Sequence, residues 1–173
     1  MRDLSKIALA AIIVSGTLAI SAPSQAQDMT KNQLVGTWQA VSFKTTTGDQ
    51  VGYPLGQRPG GYLGFTQSRF WVMLVDTTRQ APAAASITDA EATSLMKSHA
   101  AYSAKYEVDP AQTPDGIKVS VYPDAASNQA LTGTTRVFYM KVDGNKLTLK
   151  SPGVVIPTSG LTSVVQLDLV KVD

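Results

Sequence analysis

The first place in this chain where chemistry could be done is a guanidinium set among apolar side chains. Arg136 stands at alternate positions with Phe138 and Met140, and the segment that follows carries Leu147 and Leu149 with the same parity. If the alternation is that of a strand, all five share one face. A guanidinium on such a face must find a carboxylate, several carbonyls or a ligand anion. Two readings follow: Arg136 clamps the acid group of a small molecule, or it stacks on Trp38 and closes the floor of the fold. His99 is the one histidine, so acid–base or triad catalysis would have to use it with an Asp or Glu held elsewhere. Its place between Met96 and Tyr102 is that of a packing residue. Tyr62, Tyr102, Tyr106 and Tyr122 could each donate to a ligand, whereas Lys105, Glu107 and Asp109 read as a solvated face. No His-rich, acidic or Gly-rich cluster has the spacing for a metal or a phosphate, and no carboxylate pair suits glycoside chemistry. No cofactor is implied. The absence of Cys excludes disulfides, thiolate nucleophiles and Cys-ligated metal sites.

The elements that must position these residues are strands. Leu34 to Phe43 is rich in β-branched and aromatic residues, and its Gly36 stands two positions before Trp38, a spacing that anchors a large ring against neighbouring backbone. Runs of period two then recur every dozen or so residues between Gly, Pro, Asp and Asn. Eight strands are predicted: Leu34 to Lys44, Gly61 to Thr66, Arg69 to Val75, Ala104 to Val108, Ile117 to Tyr122, Thr134 to Val142, Lys146 to Lys150 and Thr162 to Val172. Between Arg69 to Val75 and Ala104 to Val108, the pattern breaks. Thr77 to Ala85 reads as a loop, and Thr88-Asp89-Ala90-Glu91 as a capping box that starts a helix within Ser86 to Ser103. Ala92, Leu95, Met96, His99 and Tyr102 would form its packing stripe.

Parity assigns faces before any fold is known. A turn at Gly144-Asn145 sets Lys141 opposite Thr148, whereas a turn at Asp143-Gly144 would set it against Lys146, so the first is preferred. Leu63 and Phe65 share a face with Phe70, Val72 and Leu74; Tyr62, Gly64, Trp71 and Met73 share the other. Both faces are largely apolar, which predicts a sheet covered on both sides, the helix on one of them.

Composition bounds the class. Arg2 and Lys6 precede an uncharged apolar stretch from Ile7 to Ile20, and Ser24-Gln25-Ala26 is a small-x-small cleavage site. That is the pattern of a secretory signal over residues 1–26, and its apolar stretch is short of the ~20 residues that span a bilayer. A mature chain of residues 27–173, periplasmic or secreted, is expected, with no membrane span. It is one domain of 147 residues. Without Arg2, Lys6 and Asp3, the 15 basic and 13 acidic residues fall to 13 and 12, a net charge of +1. The basic residues are scattered singly, so nucleic acid is not an expected partner.

An ordered set of short motifs carries a resemblance: Leu34-Val35-Gly36-Thr37-Trp38, Pro54-Leu55-Gly56, Gly60-Gly61-Tyr62-Leu63, Thr88 to Glu91, Ala101-Tyr102, Tyr106-Glu107-Val108, Gly133 to Arg136 and Gly144-Asn145-Lys146-Leu147. The chain resembles the bacterial lipocalin-like domain family over nearly all its mature length. The resemblance implies an all-β, eight-stranded antiparallel barrel with one helix inserted after the third strand and an apolar cavity open at one end. Three positions depart from the pattern. Leu169-Val170-Lys171 stands where an aromatic-x-Arg is expected, so the Arg that would stack on Trp38 is replaced by a compact cation. Ala104 is nearest to an expected Gly, and Ile117 to Tyr122 lacks a His that relatives often show, so no role of that His is carried over.

The leading expectation is an exported protein that holds a small apolar or amphipathic molecule in the barrel. Phe65, Phe70, Val72, Phe138 and Met140 would supply contact area, with Tyr106, and Arg136 would orient an acid group; Gly36 and Trp38 are the structural anchor. Two alternatives stand beside it. The same cavity could fold a flexible substrate as a cofactor-independent isomerase or cyclase. An envelope interaction or inhibitor protein could instead act through the loops Thr45 to Pro59 and Thr77 to Ala85.

Overall fold

The computed structural model describes residues 33–173; the leader assigned to residues 1–26 lies outside them. Each of the eight predicted runs holds a strand, with Leu34, Val35, Thr66, Thr134, Thr135 and Val172 outside them, and two short strands join the eight. In chain order they are β1 (Gly36–Thr47), β2 (Gln50–Gly52), β3 (Gly60–Phe65), β4 (Arg69–Val75), β5 (His99–Thr113), β6 (Gly116–Ala126), β7 (Arg136–Asp143), β8 (Lys146–Lys150), β9 (Val154–Val155) and β10 (Thr162–Lys171). One α-helix, α1 (Asp89–Lys97), lies between β4 and β5. Each long strand pairs antiparallel with its neighbours in the order β1, β3, β4, β5, β6, β7, β8, β10, and β10 returns to pair with β1 from Trp38↔Lys171 to Thr47↔Ser163. The eight strands therefore close into a ring, which leaves no long edge unpaired.

The connections alternate in length around the ring. Turns after β3, β5 and β7 are short and lie at one end; the connections through β2, α1, the 3-10 turn Gln129–Leu131 and β9 lie at the other. At the short-turn end, Trp38 is fully buried and its Nε1 donates to the Leu34 carbonyl at 2.8 Å. The Lys171 ammonium lies 5.3 Å from the centre of the Trp38 ring. Lys171 thus takes the position of the absent arginine, and Arg136 does not. Gly36 makes this approach possible: at φ 129°, an added Cβ would lie 2.7 Å from the Asp173 carbonyl and 2.8 Å from Lys171 Cε.

The parity of the hairpins decides the core. Leu63, Phe65, Phe70, Val72 and Leu74 face inward with Phe138, Met140, Leu147 and Leu149, all buried in one cluster. The β7–β8 register sets Lys141 opposite Thr148, the arrangement that keeps the two lysines apart. The expectation that both faces of β3 and β4 are covered is corrected. Tyr62, Trp71 and Met73 point outward and are 43%, 38% and 59% exposed. The Trp71 ring packs over Gly64, where any Cβ would overlap it. That packing shields part of the ring and leaves the rest in solvent.

Three local features differ from the sequence expectation. The helix ends at Ser98, whose N–H turns back to the Leu95 and Ser94 carbonyls. His99 and Tyr102 belong to β5, paired with Val75 and Val72, because the exposed ladder of β4 takes a partner along its whole length. The expected loop from Thr45 starts as strand, since β1 runs on to Thr47 and folds back through β2. Finally, β1 carries a bulge at Val41, between the Ala40↔Leu169 and Ser42↔Asp168 pairs. The bulge shifts parity by one, so that Trp38, Ala40 and then Phe43 pack against the core while Ser42 turns outward.

Candidate functional site

The inner wall is aromatic where β3, β4 and β5 meet. Phe65 and Phe70 rings lie 4.8 Å apart, Phe65 meets Tyr106 edge-on at 5.5 Å, and Phe70 meets Tyr102 at 5.6 Å. Phe65, Phe70, Val72, Tyr106, Phe138 and Met140 are all buried. They pack against one another across the lumen, with Phe65, Phe70 and Met140 toward its short-turn end. Tyr106 is further committed: its hydroxyl donates to the Thr66 carbonyl at 2.6 Å, and burial pushes its pKa up to about 12. The hydroxyl ties β5 to the turn after β3.

Toward the long-connection end, Phe43, Ala100 and Tyr102 are half-buried beside the buried Leu74 and Val121. Arg136 opens β7 there, opposite Val121 on β6. Its guanidinium lies 5.6 Å from the centre of the Phe138 ring, and its Nε is buried with no hydrogen-bond partner. No carboxylate among the described residues pairs with it: the two ion pairs are Arg69–Asp124 and Lys118–Asp109, both on the outside of the ring. Tyr102 shares this part of the lumen. Burial raises its hydroxyl to about 12, and the charge of Arg136 works against that rise. Leu55, from the connection between β2 and β3, is buried in the same core, so a loop residue folds in over the lumen at this end.

The arrangement can do one thing well. An apolar wall with a cation whose Nε lacks an acceptor can take an acid group while the rest of the molecule meets Phe138 and Tyr102. His99 is on the outer side of the ring, where its Nδ1 lies 2.9 Å from the Leu95 carbonyl and so carries the proton. Among the described residues no group of His, Asp and Glu could hold a metal ion. The outer polar residues pair with each other: Tyr122 donates to Glu107 at 2.9 Å, and Arg69 and Ser103 both bond to Asp124.

Tyr102 is the wall residue that sequence reasoning placed on the wrong element, having assigned it to the helix stripe. The alternation Ala100, Tyr102, Ala104, Tyr106 carried the signal for its strand, and the small residues between the tyrosines masked it. Phe43 was hidden by the Val41 bulge, which period-two reading cannot see.

Comparison with known proteins agrees with the ring. The model of the lipocalin-like domain family matches residues 35–166. No curated protein and no solved structure matches the chain. The match starts just before Gly36 and Trp38 and runs through Arg136 to within the closing strand, so it covers the closed ring and its inward-facing cation together; the chain belongs to the lipocalin-like domain family.

Proposed function

We propose that this protein binds a small amphipathic molecule bearing an acid group in the long-connection half of the barrel. Arg136 holds the acid, and Phe138, Tyr102 and Phe43 receive the apolar part. The observation that carries this reading is the Arg136 Nε, buried and without an acceptor beside an aromatic ring. An orphaned charged donor costs stability in the empty protein, and a ligand carboxylate recovers it. The lipocalin-like family supports small-ligand binding as the general mode. We propose export alongside it: Arg2, Lys6, the apolar run Ile7 to Ile20 and Ser24-Gln25-Ala26 are read as a leader, which would place the binding site in the periplasm or outside the cell.

The test is Arg136→Met, titrated with 1-naphthoate and with the matched uncharged 1-naphthalenemethanol. The substitution is expected to weaken the acid by about tenfold or more, the worth of a charge-assisted hydrogen bond, and to leave the alcohol unchanged. In the absence of ligand the variant should unfold at higher urea than the parent, by about 1 kcal/mol. Equal loss of acid and alcohol, or a less stable empty variant, would refute the assignment of Arg136.

A further inference from the structure

The helix α1 has an apolar stripe but buries none of its residues. Ala92, Leu95 and Met96 face a cleft of about 740 Å³ whose opposite wall is the outer face of the sheet, formed by Met73, Val75 and Ala101. Met73 and Met96 are 59% and 56% exposed, although they lie on the two facing walls. Two apolar surfaces are thus held apart, and no described residue fills the space between them. Its volume falls within the roughly 300–1,000 Å³ of small-molecule sites.

The separation is built into the chain. Thr88 and Glu91 exchange hydrogen bonds in the capping box, and the second carboxylate oxygen of Glu91 accepts from the Ala83 N–H at 2.9 Å. This fastens the loop between β4 and α1 to the start of the helix, with Pro82 and Arg79 at the cleft. Of the three acids between the end of β4 and the end of α1, Asp89 forms no ion pair among the described residues and the other two are engaged by local donors. Thr78 donates twice to Asp76, and Ala83 and Thr88 take up Glu91. No ion pair joins Arg79 to a carboxylate among the described residues. The cleft therefore offers an apolar trough with an unpaired cation at its rim.

We propose that this outer cleft is a second binding site, separate from the lumen, for a single-chain amphiphile with an anionic head. The alkyl chain lies between Met73 and Met96, whose flexible thioethers adapt to its shape, and Arg79 takes the head. Charge favours the class: Arg79 is exposed at the rim and in no ion pair among the described residues, so an anionic head gains a charge-assisted contact that a neutral one does not.

The protein reports on its own site. Of five methionines in the sequence, Met73 and Met96 line the cleft and Met140 is buried in the lumen. Protein labelled with ¹³C-methyl methionine, assigned with Met73→Leu and Met96→Leu, is titrated with dodecanoate below its micellar concentration. The Met73 and Met96 methyl signals should shift together and saturate, independently of any shift at Met140, which reports occupancy of the lumen. Arg79→Gln should weaken dodecanoate about tenfold and leave dodecan-1-ol unchanged. A shift at Met140 alone would move the chain into the lumen, and no shift at all would mean no site; either overturns the proposal. Equal effects of Arg79→Gln on acid and alcohol overturn the headgroup assignment. Arg136→Met should leave this titration unchanged, so failure of the lumen assignment and failure of the cleft are separately visible.

Discussion

Lys171 over Trp38 shows how one substitution is absorbed by its surroundings. A guanidinium would stack flat on the indole, whereas an ammonium on a flexible stem gains less from the ring and more from packing its methylenes. Gly36 makes room for that stem, because its missing Cβ leaves Lys171 Cε in contact with backbone. Lys171→Ala should lower stability by about 1 kcal/mol, and Lys171→Arg should restore or exceed the parent, both read from urea midpoints. Gly36→Ala should cost about 2 kcal/mol, since the new methyl meets both the strain of φ 129° and the close Asp173 carbonyl. The inward face of Arg136 was legible from sequence because a two-residue turn fixes parity on both sides of it. Its isolation was not, because whether a carboxylate stands opposite depends on strands distant in the chain.

The seam where β1 meets β10 depends on an outward-facing carboxylate. Asp168 accepts from Ser42 on β1 at 2.7 Å, Thr148 on β8 at 3.2 Å and Gln166 on its own strand at 2.8 Å. Burial acts to raise its pKa, but these three donors and the charge of Lys44 outweigh it and hold the carboxyl below its ordinary value of 3.8. A depressed folded pKa gives stability that is present above the unfolded value and lost as pH falls through the folded one. Asp168→Asn should therefore be less stable than the parent at neutral pH by roughly 1 kcal/mol after solvent screening. The gap should close as the solution is acidified below the ordinary Asp range, in urea titrations across pH. The start of α1 follows the same logic locally. Thr88→Ala removes a cap worth about 1 kcal/mol and should raise amide exchange in Ala92 and its neighbours without touching the ring. That cap was legible as a four-residue pattern. The end of the helix was not, because no glycine marks it and the demand of β4 for a partner decides where it stops.

For the molecule as a whole, closure is the property least visible in local sequence. Alternation gives strands and faces, but joining β10 to β1 is a contact between the two ends of the described chain, and the family resemblance anticipated it where periodicity could not. Export is a prediction of the same scale: protein recovered from the periplasm or medium should have lost residues 1–26 and should begin at Gln27, by intact mass. The two indoles then give the ring a built-in optical gauge. Trp38 is sealed beside a cation, and Trp71 lies on the outer wall, partly in solvent, so iodide should quench one fraction of the emission and spare a second, bluer one. Loss of that protected fraction would time the opening of the seam, while an amphiphile settling beside Met73 would alter the quenchable fraction alone.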